Sequence, residues 1–149
     1  MRIFEVKADR WVYRDLLLLA DPSEEMVGRY LSRGFMLAAQ VDGRAVGEIV
    51  VTPQAQGWEI KNLAVDENFW RRGIGRALIE AATGRLPAGT ELFVGTADGV
   101  PGGVDFYERC GFCRSHLVKN FFVDNYPEPV YDSGVQCVDM VYLKRRCGG

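Results

Sequence analysis

The sequence predicts a mixed α/β fold whose central sheet is mostly antiparallel, with a parallel pair of strands in the middle. Three observations predict it. Asp42-Gly43 separates two apolar runs, a strong hairpin signal, and a second turn around Gln56–Gly57 extends the hairpin into a meander. Residues 58–65, 74–84 and 91–97 read as strand, helix and strand, a unit that crosses over right-handed with parallel strands. A last apolar run at 136–143 returns the chain antiparallel. With 149 residues, one domain over 1–149 is expected.

Taken in order, residues 2–7 alternate as a strand, and "DRWVYRDLLLLA" reads as a helix. "DPSEEMVGRYLSRG" reads as a second helix. Asp21 is its expected N-cap, Pro22 its first residue, Glu24 the far end of a capping box, and Gly34 its stop. Strands follow at 35–41, 45–53 and 58–65. Ile74, Ala77, Leu78, Ala81 and Ala82 then recur at helical spacing and form one apolar stripe. After strand 91–97 come a helix at 102–110, a long strand at 112–123 and a loop, "DNYPEPVYDSGV". About four helices would flank the sheet.

Composition excludes several classes. Apolar residues make up 48% and charged residues 26%, an ordinary globular profile. A net charge of −2 gives no basic field for nucleic acid. No apolar run approaches the ~20 residues of a spanning helix, so no membrane partner is expected. The N-terminus lacks a signal-peptide core, and a cytoplasmic protein is expected. Cys110, Cys113, Cys137 and Cys147 stand with a single histidine, His116, and three thiols would have to converge with it to bind zinc. Reduced thiols, with Cys110 and Cys137 on buried faces, are the reading preferred to a metal or redox site.

"FWRRGIGRALIE", at 69–80, poses the functional question, because glycine costs about 1 kcal/mol against alanine inside a helix. This turn lies at the carboxyl end of the strand–helix–strand unit, where open α/β sheets place ligands. A helix N-terminus offers unpaired N–H groups and partial positive charge. Gly73 and Gly75 would leave those groups open, and Arg71, Arg72 and Arg76 add charge, so the turn can cradle a phosphate. The Walker pattern fails for want of a lysine, and the dinucleotide fingerprint fails because Leu78 stands where a third glycine or alanine belongs. On two glycines alone, turn punctuation and anion cradle are equal alternatives.

Further residues separate them. "LAVDENFWRRGIGRALIEAA" resembles the acyl-CoA motif R/Q-x-x-G-x-G/A of the GNAT superfamily of N-acetyltransferases, and "VDFYERCGF" at 104–112 is similar to that family's Y-x-x-x-G-F segment. The element order agrees over essentially the whole chain, and the tail from Lys119 looks like a small bacterial subgroup. The resemblance implies acetyl-CoA as the donor, its pyrophosphate on the amides of Arg71, Arg72, Gly73, Ile74, Gly75 and Arg76. It also implies that strands 58–65 and 91–97 splay, with the pantetheine arm against backbone near Leu63 and Val65 as an added strand. A homodimer is a family-level expectation. Two positions depart from the family: Trp70 replaces its Gln or Arg, and Val100 replaces a frequent asparagine, with Asp98 as a substitute.

Acetyl transfer to an amine needs a neutral amine, an oxyanion donor and a proton for the leaving thiolate. Lysine-like amines titrate near about 10.4, so a base is useful. By resemblance, Tyr107 is the candidate acid, the competing reading being a core aromatic beside Phe106. The resemblance also implies Glu59 as base, since it lies 14 residues before Gly73 in register with the strand glutamate that histone-type members use, against a solvated strand glutamate beside a lysine. Strand alternation puts Glu59, Lys61 and Leu63 on one side and Trp58, Ile60 and Asn62 on the other. His116 is an alternative base, with a structural histidine the preferred reading, and a backbone N–H near Val65 is the expected oxyanion donor. The loop residues Asp124, Tyr126 and Glu128 suit a small-molecule amine, against a solvated acidic loop. The competing function is a non-catalytic acyl-CoA-binding or regulatory module, which shares the glycine turn.

Overall fold

The computed structural model describes residues 1–148. The elements are β1 (Arg2–Glu5), α1 (Arg14–Ala20), α2 (Glu24–Tyr30), β2 (Phe35–Val41), β3 (Arg44–Gln54), β4 (Gly57–Val65), α3 (Ile74–Thr83) and β5 (Glu91–Ala97). There follow α4 (Gly103–Arg109), β6 (Cys113–Val118), α5 (Phe121–Asn125), β7 (Val130–Asp132), β8 (Val135–Cys137) and β9 (Met140–Arg146). Seven strands form one sheet in the order β1-β2-β3-β4-β5-β9-β6, and β7-β8 is a separate hairpin. The meander and the parallel β4–β5 pair are present, and every other pair is antiparallel. Among the described residues, no helix is long and apolar enough to cross a membrane.

Two cores cover the two faces. Ile74, Leu78 and Ala82 of the expected stripe are buried, together with Ile79, against Leu37, Ile49, Val51, Ile60 and Leu143. Fully burying a leucine such as Leu78 stabilises the fold by about 2 kcal/mol. On the other face Leu17 of α1 and Val27 and Tyr30 of α2 pack on Met36, Ala38 and Val50.

Five expectations are corrected. The cap of α2 is Ser23, whose Oγ accepts from Met26 N at 3.2 Å; Asp21 stands just ahead of it, its Oδ1 accepting from Ser23 N at 3.3 Å as well as from side chains further away. Gly34 does not stop α2. It stands at φ +59° just before β2, where a Cβ would collide with the Val51 carbonyl. Residues 112–123 are not one strand, because Asn120 turns the chain at φ +59° with its N–H on Asp139 Oδ1 at 2.8 Å, and α5 follows. The stretch 124–135 is not all loop, since Ser133 and Gly134 both take positive φ and close the β7–β8 hairpin. Residues 138 and 139 then break the expected last strand, Val138 O accepting from Phe122 N.

The pairing of β4 positions the site. It runs parallel to β5 only from Trp58 to Ile60, and past that point no β4–β5 ladder continues, although β4 reaches Val65 and β5 reaches Ala97. A bulge adds Lys61, because Val51 pairs with Ile60 and Val50 with Asn62. The extra residue reverses the alternation. Asn62 therefore shares a face with Glu59 and Lys61, while Leu63 joins Ile60 and Trp58 on the α3 side. The expected pairing of faces beyond Lys61 is overturned by that one inserted residue.

Candidate active site

The end of β4 faces an opening. Asp66 N donates to Val46 O at 2.7 Å, so its amide points at β3. Backbone groups alternate along a strand, so those of Leu63 and Val65 point away from β3, into the space where β5 no longer pairs. Trp70 occupies this region: 61% exposed, it donates its indole Nε1 to Val65 O at 2.8 Å. The side chain that departs from the family pattern thus ties the turn to the last residue of β4.

The two glycines have different reasons. Gly73 is the N-cap of α3 at φ +77°, ψ 13°, a left-handed conformation, and a Cβ there would meet nothing within 4 Å. Gly75 is helical, and its Cβ would stand 3.1 Å from the Phe106 ring. It lets α4 pack on α3 rather than clearing space for an anion, which corrects the single role expected for both. The cap of α3 has no side-chain partner, and its first turn carries no acidic residue. Arg71 and Arg72 are exposed, with Arg72 stacked on Phe69 at 4.8 Å. Arg76 donates to Arg109 O at 3.0 Å, at the end of α4.

Tyr107 follows Phe106 on α4, half-buried and edge-on to both Phe106 and Phe112 at ring distances of 5.1 and 5.7 Å. Among the described residues its hydroxyl has no hydrogen-bond partner. Burial above all pushes its phenol well above the ordinary value, so it holds its proton. Val100 points into a small apolar cluster with Ala97 and Cys137, which gives it a packing role. Asp98, its expected substitute, is exposed and fixed through its backbone, Asp98 N donating to Asp139 O at 2.9 Å.

Glu59 is 9% exposed on the α1/α2 face, with Lys61 Nζ 3.4 Å from its carboxylate. Burial raises its pKa; Lys61 and, less, His116 pull it back. The structure therefore brings the two candidate bases into one neighbourhood. His116, on β6, stacks on Tyr142 of β9 at 4.9 Å and 11°. The Tyr142 phenol is pushed up to about 12 by burial and then by the Glu59 charge.

Of the loop residues, only Tyr126 reaches this face. Its hydroxyl donates to Asp21 Oδ1 at 3.1 Å, while Tyr30 donates to Asp21 Oδ2 at 3.1 Å and Asn62 Nδ2 donates to the Tyr30 oxygen at 3.0 Å. Asp124 and Glu128 are exposed, and their side chains make no hydrogen bond or ion pair among the described residues. Asp21, Tyr30, Tyr142 and Gly95 were missed. For Gly95 a signal existed, a glycine inside a buried strand; Asp21 was hidden by its resemblance to a cap. Cys110, Cys137 and Cys147 are buried and Cys113 exposed, all free.

Comparisons with known proteins agree with this fold. The profile of the Acetyltransferase (GNAT) family matches residues 3–112. The uncharacterized N-acetyltransferase YvbK of Bacillus subtilis (strain 168) is 35% identical over 133 residues, covering 87% of this chain and 85% of that protein. A GNAT family acetyltransferase from Elizabethkingia anophelis, solved with acetyl-CoA bound, superposes with a TM-score of 0.88 at 35% identity, over 97% of both chains. A Bacillus subtilis acetyltransferase solved in complex with CoA gives 0.85 at 31% identity, again over 97% of both. With the family profile spanning most of its length, this chain belongs to the GNAT family of acetyltransferases.

Proposed function

We propose that the protein transfers the acetyl group of acetyl-CoA directly to the primary amine of a small molecule or peptide. One observation carries the reading: β4 and β5 stop pairing after Ile60, with Glu59 of β4 on the α1/α2 side of the sheet and Tyr107 of α4 packed on the α3 side. An amine can then arrive on the Glu59 face while the thioester sulfur meets Tyr107. Acetyl-CoA-bound and CoA-bound relatives of the same fold support the donor.

In this reading the amides of residues 71–76, at the N-terminus of α3, receive the pyrophosphate. Backbone groups of Leu63 and Val65 that point away from β3 pair with the pantetheine amides, the Val65 carbonyl also accepting from Trp70, and one of the N–H groups of this stretch that point away from β3 takes the oxyanion. Glu59 removes one proton from the ammonium. The free nitrogen attacks the thioester carbon, the carbon–sulfur bond breaks, and Tyr107 gives its proton to the leaving sulfur. The second nitrogen proton returns to the tyrosinate through solvent, and Glu59 releases its own. Tyr126, held by Asp21, walls the acceptor side; Asp124 and Glu128 stand further out on the same segment.

The family supports a small-molecule substrate, and the amine acceptor is part of this reading. The same reading takes residues 1–149 as one domain acting in the cytoplasm, and as a homodimer that sedimentation would check. The decisive assay is release of free thiol from acetyl-CoA against a panel of small amines, polyamines and lysine peptides. Binding of acetyl-CoA with no thiol release from any acceptor would turn the reading to a non-catalytic binding module.

A further inference from the structure

Glu48 is fully buried on β3, and both its carboxylate oxygens lack a hydrogen-bond partner. A third buried oxygen without a partner is Asn62 Oδ1. All three sit on neighbouring strands. Glu48 pairs with Ala64 and Val50 with Asn62, so Glu48 and Asn62 lie on one face of adjacent strands, diagonal to each other. A diagonal pair is within reach of a long side chain. Two unprotonated acceptors facing each other there would each carry the desolvation cost of an unmade bond.

We propose that Glu48 is a positioning residue: its neutral carboxyl donates a hydrogen bond to Asn62 Oδ1 and so holds the inner end of the chain Asn62–Tyr30–Asp21–Tyr126. The links of that chain are short. Asn62 Nδ2 donates to the Tyr30 oxygen at 3.0 Å and to Leu17 O at 3.0 Å, and Tyr30 and Tyr126 each donate to Asp21 at 3.1 Å. With the Glu48 proton added, every member donates toward the next or is held by it, from the middle of the sheet to the segment after β6. The chain sets the side chain of Asn62, the residue after the bulge, and through it the strand end that opens the gap.

The surroundings keep the carboxyl neutral. The titratable groups whose titration feels Glu48 are Tyr30 from α2 and Tyr107 from α4, both phenols. Burial alone raises the Glu48 pKa well above the usual carboxylate range, and no cation offsets it. The inference stands on the β3–β4 register and not on the acetyl-transfer reading, so either can fail without the other.

Infrared difference spectra of wild type against Glu48→Gln at neutral pH test it. A protonated-carboxyl carbonyl band is expected in the wild type, and it should move to the free-acid position in Asn62→Leu. A carboxylate band instead, or a band that Asn62→Leu leaves in place, overturns the proposal. Unfolding against pH gives a second readout, because glutamine can donate to Asn62 without ionising. The ratio of wild-type to E48Q unfolding constants should rise with pH, by up to about tenfold per unit above the free carboxyl's titration. Parallel curves would overturn it as well.

Discussion

Tyr142 leans across Gly95: a Cβ there would stand 3.0 Å from the ring's Cε1, and 2.7 Å from Met140 Sδ. The bare backbone of β5 is what allows the Tyr142–His116 stack to sit where it feels Glu59. Gly95→Ala should push ring and thioether aside. The expected cost is about 1–3 kcal/mol of stability, typical of overpacking. Turnover should fall more than acetyl-CoA affinity, because the displaced groups are on the acceptor side. Equal losses in both, measured by steady-state kinetics and direct binding, would argue that Tyr142 packs and does nothing more.

Glu59 and Lys61 give a pH prediction with a definite sign. Burial raises the Glu59 pKa, and Lys61 is the largest opposing influence. The base works ionised, so the acidic limb of the rate profile should follow the Glu59 titration. Lys61→Met should move that limb to higher pH, and Glu59→Gln should flatten it with a loss of about 10²–10⁴ in rate. Stability moves the other way. The folded state binds the proton more tightly than the unfolded chain, so the Glu59 contribution is fully present at low pH and is lost as pH rises through the folded value. A limb that ignores both substitutions would transfer the role to His116 or water.

These residues also show what was legible in the sequence. Turn dipeptides, a helical stripe and one strand–helix–strand unit place every strand up to β5, because those signals are local. Lys61 was not legible as a bulge: an inserted residue changes no composition, yet it turns Asn62 to the Glu59 face and Leu63 away from it. Asp21 read as a cap by spacing, but besides Ser23 N its carboxylate holds Tyr30 and Tyr126, partners 9 and 105 residues away. The segment after β6 misled for the same reason. Its α5 and β7–β8 hairpin depend on Asn120 and Ser133 entering the left-handed region, which a tertiary contact such as Asn120 N to Asp139 decides.

Gly73 and Gly75 should respond differently to the same change. At Gly73 space is open and only the left-handed backbone resists, so Gly73→Asn should be nearly neutral for folding, since asparagine enters that region readily, whereas Gly73→Val should cost about 1–2 kcal/mol. Gly73→Asp should in addition abolish acetyl-CoA binding, through its charge. At Gly75 the backbone is ordinary and Phe106 resists, so Gly75→Ala should strain the α3–α4 contact, and Phe106→Leu should relieve it. Unfolding midpoints and acetyl-CoA titrations separate the two. Unchanged acetyl-CoA affinity in Gly73→Asp would remove the turn from the binding site.

Trp70 offers a test of how the turn manages without the family's usual polar side chain. Its indole N–H holds Val65 O at 2.8 Å while the ring stays 61% exposed, so little apolar burial complicates the comparison. Trp70→Phe removes the donor and keeps a ring, and should cost about 0.5–1.5 kcal/mol, the worth of one net hydrogen bond. If that bond sets the approach of the turn to the end of β4, acetyl-CoA should bind more weakly in Trp70→Phe. Trp70→Gln should recover part of the loss, since its amide can reach either the carbonyl or a phosphate. Amide exchange at Ile74 and Gly75 should quicken in the phenylalanine variant as the turn loosens. Wild-type affinity in Trp70→Phe, with unchanged exchange, would make Trp70 a bystander and leave the anion to the amides and Arg71 and Arg72 alone.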